Sequence, residues 1–417
     1  MRFGGTAAAV FDMLVSYSHR GHSSTRTSGM GGAHQALGLE FRRRVQGVSE
    51  PMRVVVVNQS GGLYGIERML LALLPVLRAR GVDVTFLALC REEDEGGALG
   101  RLLREQGIPV HFVPITRFVG FGPLRRVVAT LRACDPHVVH VHGYKAATAV
   151  GLARLFWRRP VLATVHSESA SSTDMRAAML AETTFCRSFE KVIAVSTGVL
   201  RDLQQRGVAR DRLAIIQNGI VDRFAVVSAD PRGERDPARI VAVGRLVPVK
   251  RFAAAIHSVA ALVRQGHPCT LQIVGDGPLR PELERLADEL GVSAHVQFVG
   301  FVDDVTPFLA GASIFAMPSA SEGAPMALLE AMAAGCAIVA SRVGGIPDII
   351  RHEEDALLID PTDETTLTRA LERLLLDASL RERFGTNARR RFLEEFEAQR
   401  MTARYVDAYS AVAAGDA

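Results

Sequence analysis

The chain has 417 residues, 48% apolar and 23% charged, which suits a folded protein of two or three domains. No apolar run approaches the roughly 18 to 20 residues of a membrane-spanning helix. The five cysteines, at 90, 134, 186, 269 and 336, are odd in number and include no Cys-x-x-Cys pair. That argues against a disulfide framework or zinc site and for a reducing, cytoplasmic setting.

The net charge of +4 hides an asymmetry: residues 52–225 carry 23 basic and 15 acidic side chains, residues 226–417 carry 20 and 27. Two domains with different partners are expected. The basic half suits anionic lipid or a phosphorylated acceptor. Nucleic acid is not expected, because the charges are dispersed, without aromatic interleaving or a helix-turn-helix or zinc pattern.

In chain order, residues 1–51 are rich in Gly, Ser, Thr and His and lack an apolar period, so they read as disordered or as an over-extended start ahead of Met52. A signal peptide is disfavoured because Asp12 interrupts the apolar core. Strands are then expected at "RVVVVNQS" (53–60), "VDVTFLAL" (82–89), "VHFVPI" (110–115), "HVVHVHG" (137–143), "VLATVHS" (161–167), "KVIAVS" (191–196) and "LAIIQNG" (213–219). After the polar stretch "SADPRGERDPAR" (228–239) the pattern restarts with "IVAVGRL", "TLQIVGDG", "VQFVGF", "SIFAMPS", "AIVAS" and "ALLID". Continuous apolar strands separated by helical patterns predict an α/β fold of two doubly wound parallel domains, over 52–225 and 226–398. A C-terminal helix over 399–417 is expected to pack back on the first domain. Ligands of such sheets bind at the carboxyl ends of strands, so the cleft between the domains is the expected site.

The segment "SASEGAPMALLEAMAAGCAIVAS" (319–341) sets two carboxylates in an apolar run. Pro325 suits the first position of a helix, and the start of that helix offers free N–H groups and positive dipole to a diphosphate. Leu329, Met332, Ala333 and Cys336 form the expected buried stripe. Glu330 lies roughly 100° from it, at a rim from which an acceptor-only carboxylate can hold paired hydroxyls. The phosphates then need cations from elsewhere. Arg245 and Lys250, in "VAVGRLVPVKRF", supply them, and Lys250 is one of only three lysines in the chain.

Taken in order, "GRLVPVK", "VGDGP", "FVGFVDD", "PSASEGAPMALLEAMAAG" and "VGGIPDII" resemble the donor-binding half of the retaining glycosyltransferases of family 4, which have the GT-B fold. "NQSGGLYGIERML", "VHVHGYKA", "ATVHSES" and "QNGIVDRF" resemble the first half, so the likeness covers about residues 52 to 415. It implies a hexosyltransferase that moves a sugar from a UDP- or GDP-sugar to a lipid-linked or saccharide acceptor, with neither cofactor nor metal, in cell-envelope polysaccharide or glycolipid synthesis. Arg245 and Lys250 would hold the diphosphate, Glu322 the transferred sugar and Glu330 the ribose. Backbone from Gly323 through Ala324, Pro325 and Met326 to Ala327 would meet the phosphate, and Phe301 and Val302 the base. Gly62 would let the first-domain loop approach the diphosphate, with Gly61 and His166 on the acceptor side and His142 at a strand end beside the reacting centre. Departures from the family pattern are Ala324-Pro325 for Phe-Gly, Ala337 for Pro, and Asp348 where Glu is common.

His140 reads as structural, and His137 and His111 carry no assignment. His140 and His142 share a sheet face, but no third metal ligand has a recognisable spacing, and the chain contains no Asp-x-Asp. Charge on the leaving diphosphate therefore falls to Arg245, Lys250 and helix N–H groups. The resemblance gives no reason to make Glu322 a nucleophile.

Rival readings are a sugar-nucleotide-binding protein without turnover and a sugar-nucleotide epimerase. A dinucleotide oxidoreductase fails on glycine spacing in "GGLYGIE" and "GDGPLRPE". The stretches "RFVGFGPLRR" (117–126) and "LARLFWRRP" (152–160) mix apolar and basic residues as a surface resting on the inner face of a membrane would.

Overall fold

The computed structural model describes residues 50–59, 65–91, 97–115, 120–166, 173–225 and 235–415. The expectations for residues 1–49 and for Gly61 and Gly62 lie outside the described residues.

Seven strands form the first sheet: β1 (Arg53–Gln59), β2 (Asp83–Cys90), β3 (Val110–Pro114), β4 (Val138–His142), β5 (Val161–Val165), β6 (Lys191–Ala194) and β7 (Leu213–Ile215). They are parallel, in the order β3-β2-β1-β4-β5-β6-β7. The helices between them are α1 (Gly65–Ala79), α2 (Gly97–Glu105), α3 (Phe121–Cys134), α4 (Gly143–Ala153), α5 (Thr173–Cys186) and α6 (Thr197–Gln205). The second sheet holds β8 (Asp236–Val243), β9 (Thr270–Val274), β10 (Val296–Gly300), β11 (Ala312–Met317), β12 (Ala337–Ser341) and β13 (Ala356–Ile359). Its order is β10-β9-β8-β11-β12-β13, again parallel. Its helices are α7 (Phe252–Arg264), α8 (Arg280–Glu289), α9 (Thr306–Ala310), α10 (Met326–Ala334), α11 (Ile346–Ile349), α12 (Glu364–Leu376) and α13 (Ala378–Arg391).

The burial of these strands explains their composition. β4 and β5 are buried at every residue, as strands covered by helices on both faces must be. The helices repeat this logic with a 3.6-residue period. In α1, Met69, Leu70, Leu73, Leu74 and Leu77 are wholly buried against the sheet, four spacings that keep one face inward.

Helix α10 departs from the expected single stripe. Met326, Leu328, Leu329, Ala331, Met332, Ala333 and Ala334 are all buried, because the helix is enclosed by α9, α13 and α1 as well as its own sheet. Only Ala327 and Glu330 are partly open. Cys336 lies past the helix end, and Pro325 is the residue before the first helical one rather than the first.

A five-residue π-helical turn, Phe392–Phe396, leads from α13 into α14 (Ala398–Ala414), which leaves the second domain and packs on α1, β4 and β5 of the first. The outgoing and returning chains pair where they cross. Ile220 N–H donates to the Phe396 carbonyl at 3.0 Å, and Ala398 N–H donates to the Ile220 carbonyl at 2.9 Å. Tyr405 and Tyr409 of α14 are buried in the first domain. The Tyr409 hydroxyl is 2.7 Å from His140 Nδ1, His140 Nε2 is 2.8 Å from Thr164 Oγ1, and Thr164 Oγ1 is 3.0 Å from the Tyr405 hydroxyl. A buried imidazole with both nitrogens hydrogen-bonded is the structural role expected for His140.

Candidate active site

In the second sheet the strand order reverses at β8, whose neighbours are β9 and β11. Connections leave its two sides in opposite directions there and open a crevice at the carboxyl ends. A cavity of about 590 Å³ occupies this crevice, roofed by the first domain. Gly244 and Arg245 after β8, Gly275 and Asp276 after β9, Phe301 and Val302 after β10, and the loop after β11 reach it from below. Gly65, Ile66, Arg68 and His166 reach it from above.

Two close approaches hold these loops in place. Gly275 has φ of +139°, and a Cβ there would lie 2.0 Å from the Gly244 carbonyl oxygen, so the loop after β9 stacks on the loop that presents Arg245. A Cβ on Gly323 would lie 2.5 Å from the His166 carbonyl oxygen, so at this glycine the backbones of the two domains come into close contact beside the cavity.

The cations and acids meet as follows. Pro248–Lys250 forms a single 3-10 turn, and Ala320 N–H donates to the Val249 carbonyl at 2.8 Å, drawing the turn against the loop after β11. Lys250 Nζ is thereby placed 2.6 Å from Glu322 Oε1, and the Glu322 side chain is only 8% exposed. Arg245 is exposed and makes no side-chain hydrogen bond among the described residues. Met326 and Ala327, the first residues of α10, line the cavity and bring the positive end of the helix to it. Glu330, one turn on, accepts from Arg68 Nη1 at 3.3 Å across the cleft. Burial pushes the Glu330 carboxyl above its ordinary value, with Arg68 and Arg223 partly offsetting this.

The residues singled out in sequence therefore converge: Arg245, Lys250, Phe301, Val302, Glu322 to Ala327, Glu330 and His166 all line one cavity. His142 does not. It is fully buried at the end of β4, with Nδ1 3.1 Å from His166 Nε2, so it meets the cavity only through His166. Its Nε2 has no partner among the described residues. Burial, reinforced by the neighbouring imidazoles, holds His142 well below the usual histidine range, and burial lowers His166 to about 4.

Sequence reasoning missed Arg68, which stands in the quoted segment "NQSGGLYGIERML" on the cavity side of α1, and Asn218, whose Nδ2 donates to the Ala324 carbonyl at 3.4 Å. The position of Arg68 one turn past Gly65 was the available signal. Among the described residues no three His, Cys, Asp or Glu side chains converge as a metal site.

The described parts of the two stretches read together as a membrane surface lie at opposite ends of the first sheet. Phe121 opens α3 at the carboxyl ends of the strands, on the cleft side, whereas Leu155 to Arg159 connect the end of α4 to the start of β5. Arg132, at the far end of α3, donates to the Phe156 carbonyl at 2.8 Å and fixes that separation. Each end exposes apolar groups: Phe121 is 82% exposed and Leu155 is 76% exposed.

Two parallel, doubly wound domains facing each other across a cation-bearing cavity at a switch point define a GT-B protein. The chain belongs to the family 4 glycosyltransferases: residues 64–224 match the family described as Glycosyltransferase Family 4 and residues 228–391 the one described as Glycosyl transferases group 1. It is 31% identical to the lipopolysaccharide core biosynthesis glycosyltransferase LpsD of Rhizobium meliloti over 53% of this chain and 63% of that protein. With an MMP alpha-(1->4)-mannosyltransferase of Mycolicibacterium hassiacum it shares 33% identity over 54% of each chain. The chain thus matches less than two thirds of the length of either relative. Among solved structures, HepE of Anabaena in complex with UDP-glucose has the same fold, with a TM-score of 0.74 and 23% identity over 86% of this chain and 100% of that one.

Proposed function

We propose that this protein transfers a glycosyl group from a nucleoside-diphosphate sugar to an acceptor in the synthesis of polysaccharide, lipopolysaccharide or a related glycolipid. One observation carries the reading: Arg245, Lys250, Glu322, Glu330 and the start of α10 meet in one cavity at the switch point of the second sheet. Cations and a helix N-terminus suit a diphosphate, and two carboxylates suit the hydroxyls on either side of it. Support comes from the LpsD relative and from the HepE complex, whose ligand is UDP-glucose.

In this reading the donor lies along the cavity, with its base against Phe301 and Val302, its ribose on Glu330, its diphosphate between Arg245, Lys250 and the first turn of α10, and its sugar by Glu322 and His166. As the glycosidic bond breaks, charge grows on the diphosphate. Arg245, Lys250 and the helix dipole stabilise it without a metal ion. The acceptor enters on the first-domain side and attacks the face from which the diphosphate leaves, so configuration is retained. His142 orients His166 from behind. A lipid-linked acceptor brings the protein to the inner face of the membrane as a peripheral enzyme, and among the described residues no helix is long and apolar enough to cross a bilayer.

Thermal unfolding of the wild type with UDP, GDP and a panel of their sugars, followed by assay of sugar release from those that stabilise it, tests the reading. Stabilisation by one nucleoside diphosphate together with sugar release from its donor is expected. Stabilisation without turnover, given a panel of acceptors, leaves a binding protein instead. No stabilisation by any of the panel removes the donor site.

A further inference from the structure

Among the polar contacts that bridge the domains beside the cavity, two differ in kind. Arg68 and Glu330 meet inside it, where in the proposed reading the donor ribose would compete for the carboxylate. Asp348 and Thr197 meet outside it. Asp348, on α11 of the second domain, accepts from the backbone N–H of Thr197 at 2.5 Å and from Thr197 Oγ1 at 2.9 Å. Thr197 is the first residue of α6 in the first domain. The carboxylate thus binds an unsatisfied helix N–H at the positive end of the dipole, a charge-assisted contact of the stronger class. The backbone carbonyl of Asp348 also accepts from Gln217 Nε2 at 3.0 Å, in the segment that leads out of the first sheet.

The same short stretch supports the site loop. Gly345 N–H donates to the Glu322 carbonyl at 2.9 Å, and a Cβ on Gly345 would lie 2.9 Å from Ser196 Cβ, immediately before Thr197. Next to this, Gly323 abuts the His166 carbonyl. Residues 345–348 therefore sit behind Glu322 and Gly323 and against α6 at once.

We propose that Asp348 is a positioning residue: its clasp on the start of α6 holds Glu322 and Gly323 against His166 and fixes the closed geometry of the cleft at the sugar end. Asp348 does not line the cavity, so donor binding does not displace it. For its effect on turnover this inference rests on the glycosyltransferase reading, but for domain closure it does not.

The test compares the full-length wild type with Asp348→Ala, Asp348→Asn and Asp348→Glu, and with Thr197→Val alone and combined with Asp348→Ala. Hydrogen exchange at residues 197–200 and small-angle scattering report closure without any substrate. Asp348→Ala should lose protection at the start of α6 and increase the radius of gyration, Asp348→Glu should recover part of both, and the double variant should add little to Asp348→Ala. With a donor identified, kcat should fall roughly 10- to 100-fold, as displaced reacting groups do. The dissociation constant for UDP or GDP should stay within a few-fold, because Arg245, Lys250 and Glu330 are untouched. Unchanged protection and scattering in Asp348→Ala overturn the proposal. Should that variant not fold, Asp348→Asn and Thr197→Val decide by the same measurements. Should no nucleotide sugar turn over with wild type, the transferase reading falls while exchange and scattering still judge the clasp.

Discussion

Lys250 Nζ and Glu322 Oε1 are 2.6 Å apart inside the candidate donor cavity, so the site satisfies its own cation. A diphosphate must draw Lys250 away from Glu322 or share it. Neither group is well solvated, since the two side chains are 22% and 8% exposed, and each therefore matters strongly to the other.

Substitutions on the two sides of this pair should act in opposite directions on nucleotide binding. Lys250→Ala removes a charge-assisted partner of the phosphates and should weaken nucleoside diphosphate binding by about 1.5 to 3 kcal/mol. Glu322→Gln releases Lys250 and should tighten nucleoside diphosphate binding while turnover falls. Titration calorimetry of both variants with UDP and GDP reads this out, and equal affinities in wild type and Lys250→Ala would show that the phosphates lie elsewhere.

His142→Ala should leave stabilisation by nucleoside diphosphate intact, because the residue does not line the cavity, while turnover drops through loss of the 3.1 Å support to His166. Ligand stabilisation depends only on binding to the folded state, so the two effects separate in one thermal assay and one rate assay. Normal turnover in the variant would return His142 to a packing role.

Acid and base should strain the first domain through different groups. Burial holds His140 and His142 well below the usual histidine range and His166 at about 4, so the folded state binds fewer protons than the unfolded chain. Their contribution to stability is complete above the unfolded value of about 6.5 and is lost as pH falls toward the folded values. Glu182 runs the other way: burial raises it from 4.5 to about 7, with Arg206 opposing. The folded state keeps that proton longer, and stability declines as pH rises through this window before levelling above it. Denaturant unfolding across pH 4.5 to 8 should show Glu182→Gln gaining on wild type with rising pH, by on the order of 3 kcal/mol above neutrality. A pH-independent difference would contradict the assignment.

Because the described parts of the two basic-apolar stretches lie at opposite ends of the first sheet, one membrane plane cannot hold both with the cleft turned toward it. Phe121, Arg125 and Arg126 stand on the cleft side. The double variant Arg125→Glu/Arg126→Glu should abolish low-salt co-sedimentation with vesicles containing acidic lipid, while Arg158→Glu/Arg159→Glu should not, and high salt should release the wild type. Binding to neutral vesicles as strong as to acidic ones would reject the electrostatic reading.

Much of this architecture was legible in the chain itself. Strands sealed between helices must be apolar on both sides, so runs such as "RVVVVNQS" and "VLATVHS" stand out, and both sheets assemble from the expected segments. The lower wall of the cavity was equally visible, because Arg245, Lys250 and Glu322 sit in loops and turns that follow strand ends, and Glu330 sits on the helix that one of those loops opens. What stayed hidden depends on how one domain faces the other. Nothing near Arg68 or Asp348 in sequence reveals their partners, which lie 262 and 151 residues away. The all-round burial of α10 was hidden for the same reason, since the helices that complete its enclosure come from both domains.

The path of α14 also sets the order in which the molecule comes into being. β4 and β5 leave the ribosome long before the helix whose tyrosines meet His140 and Thr164, and the entire second sheet is synthesised in between. Until then the faces of α1, β4 and β5 that α14 covers stay open, whereas the inserted domain has every one of its strands from Asp236 to Ile359 in one continuous stretch. Vectorial synthesis ordinarily lets the N-terminal domain fold first. In this protein the domain begun first is the one completed last.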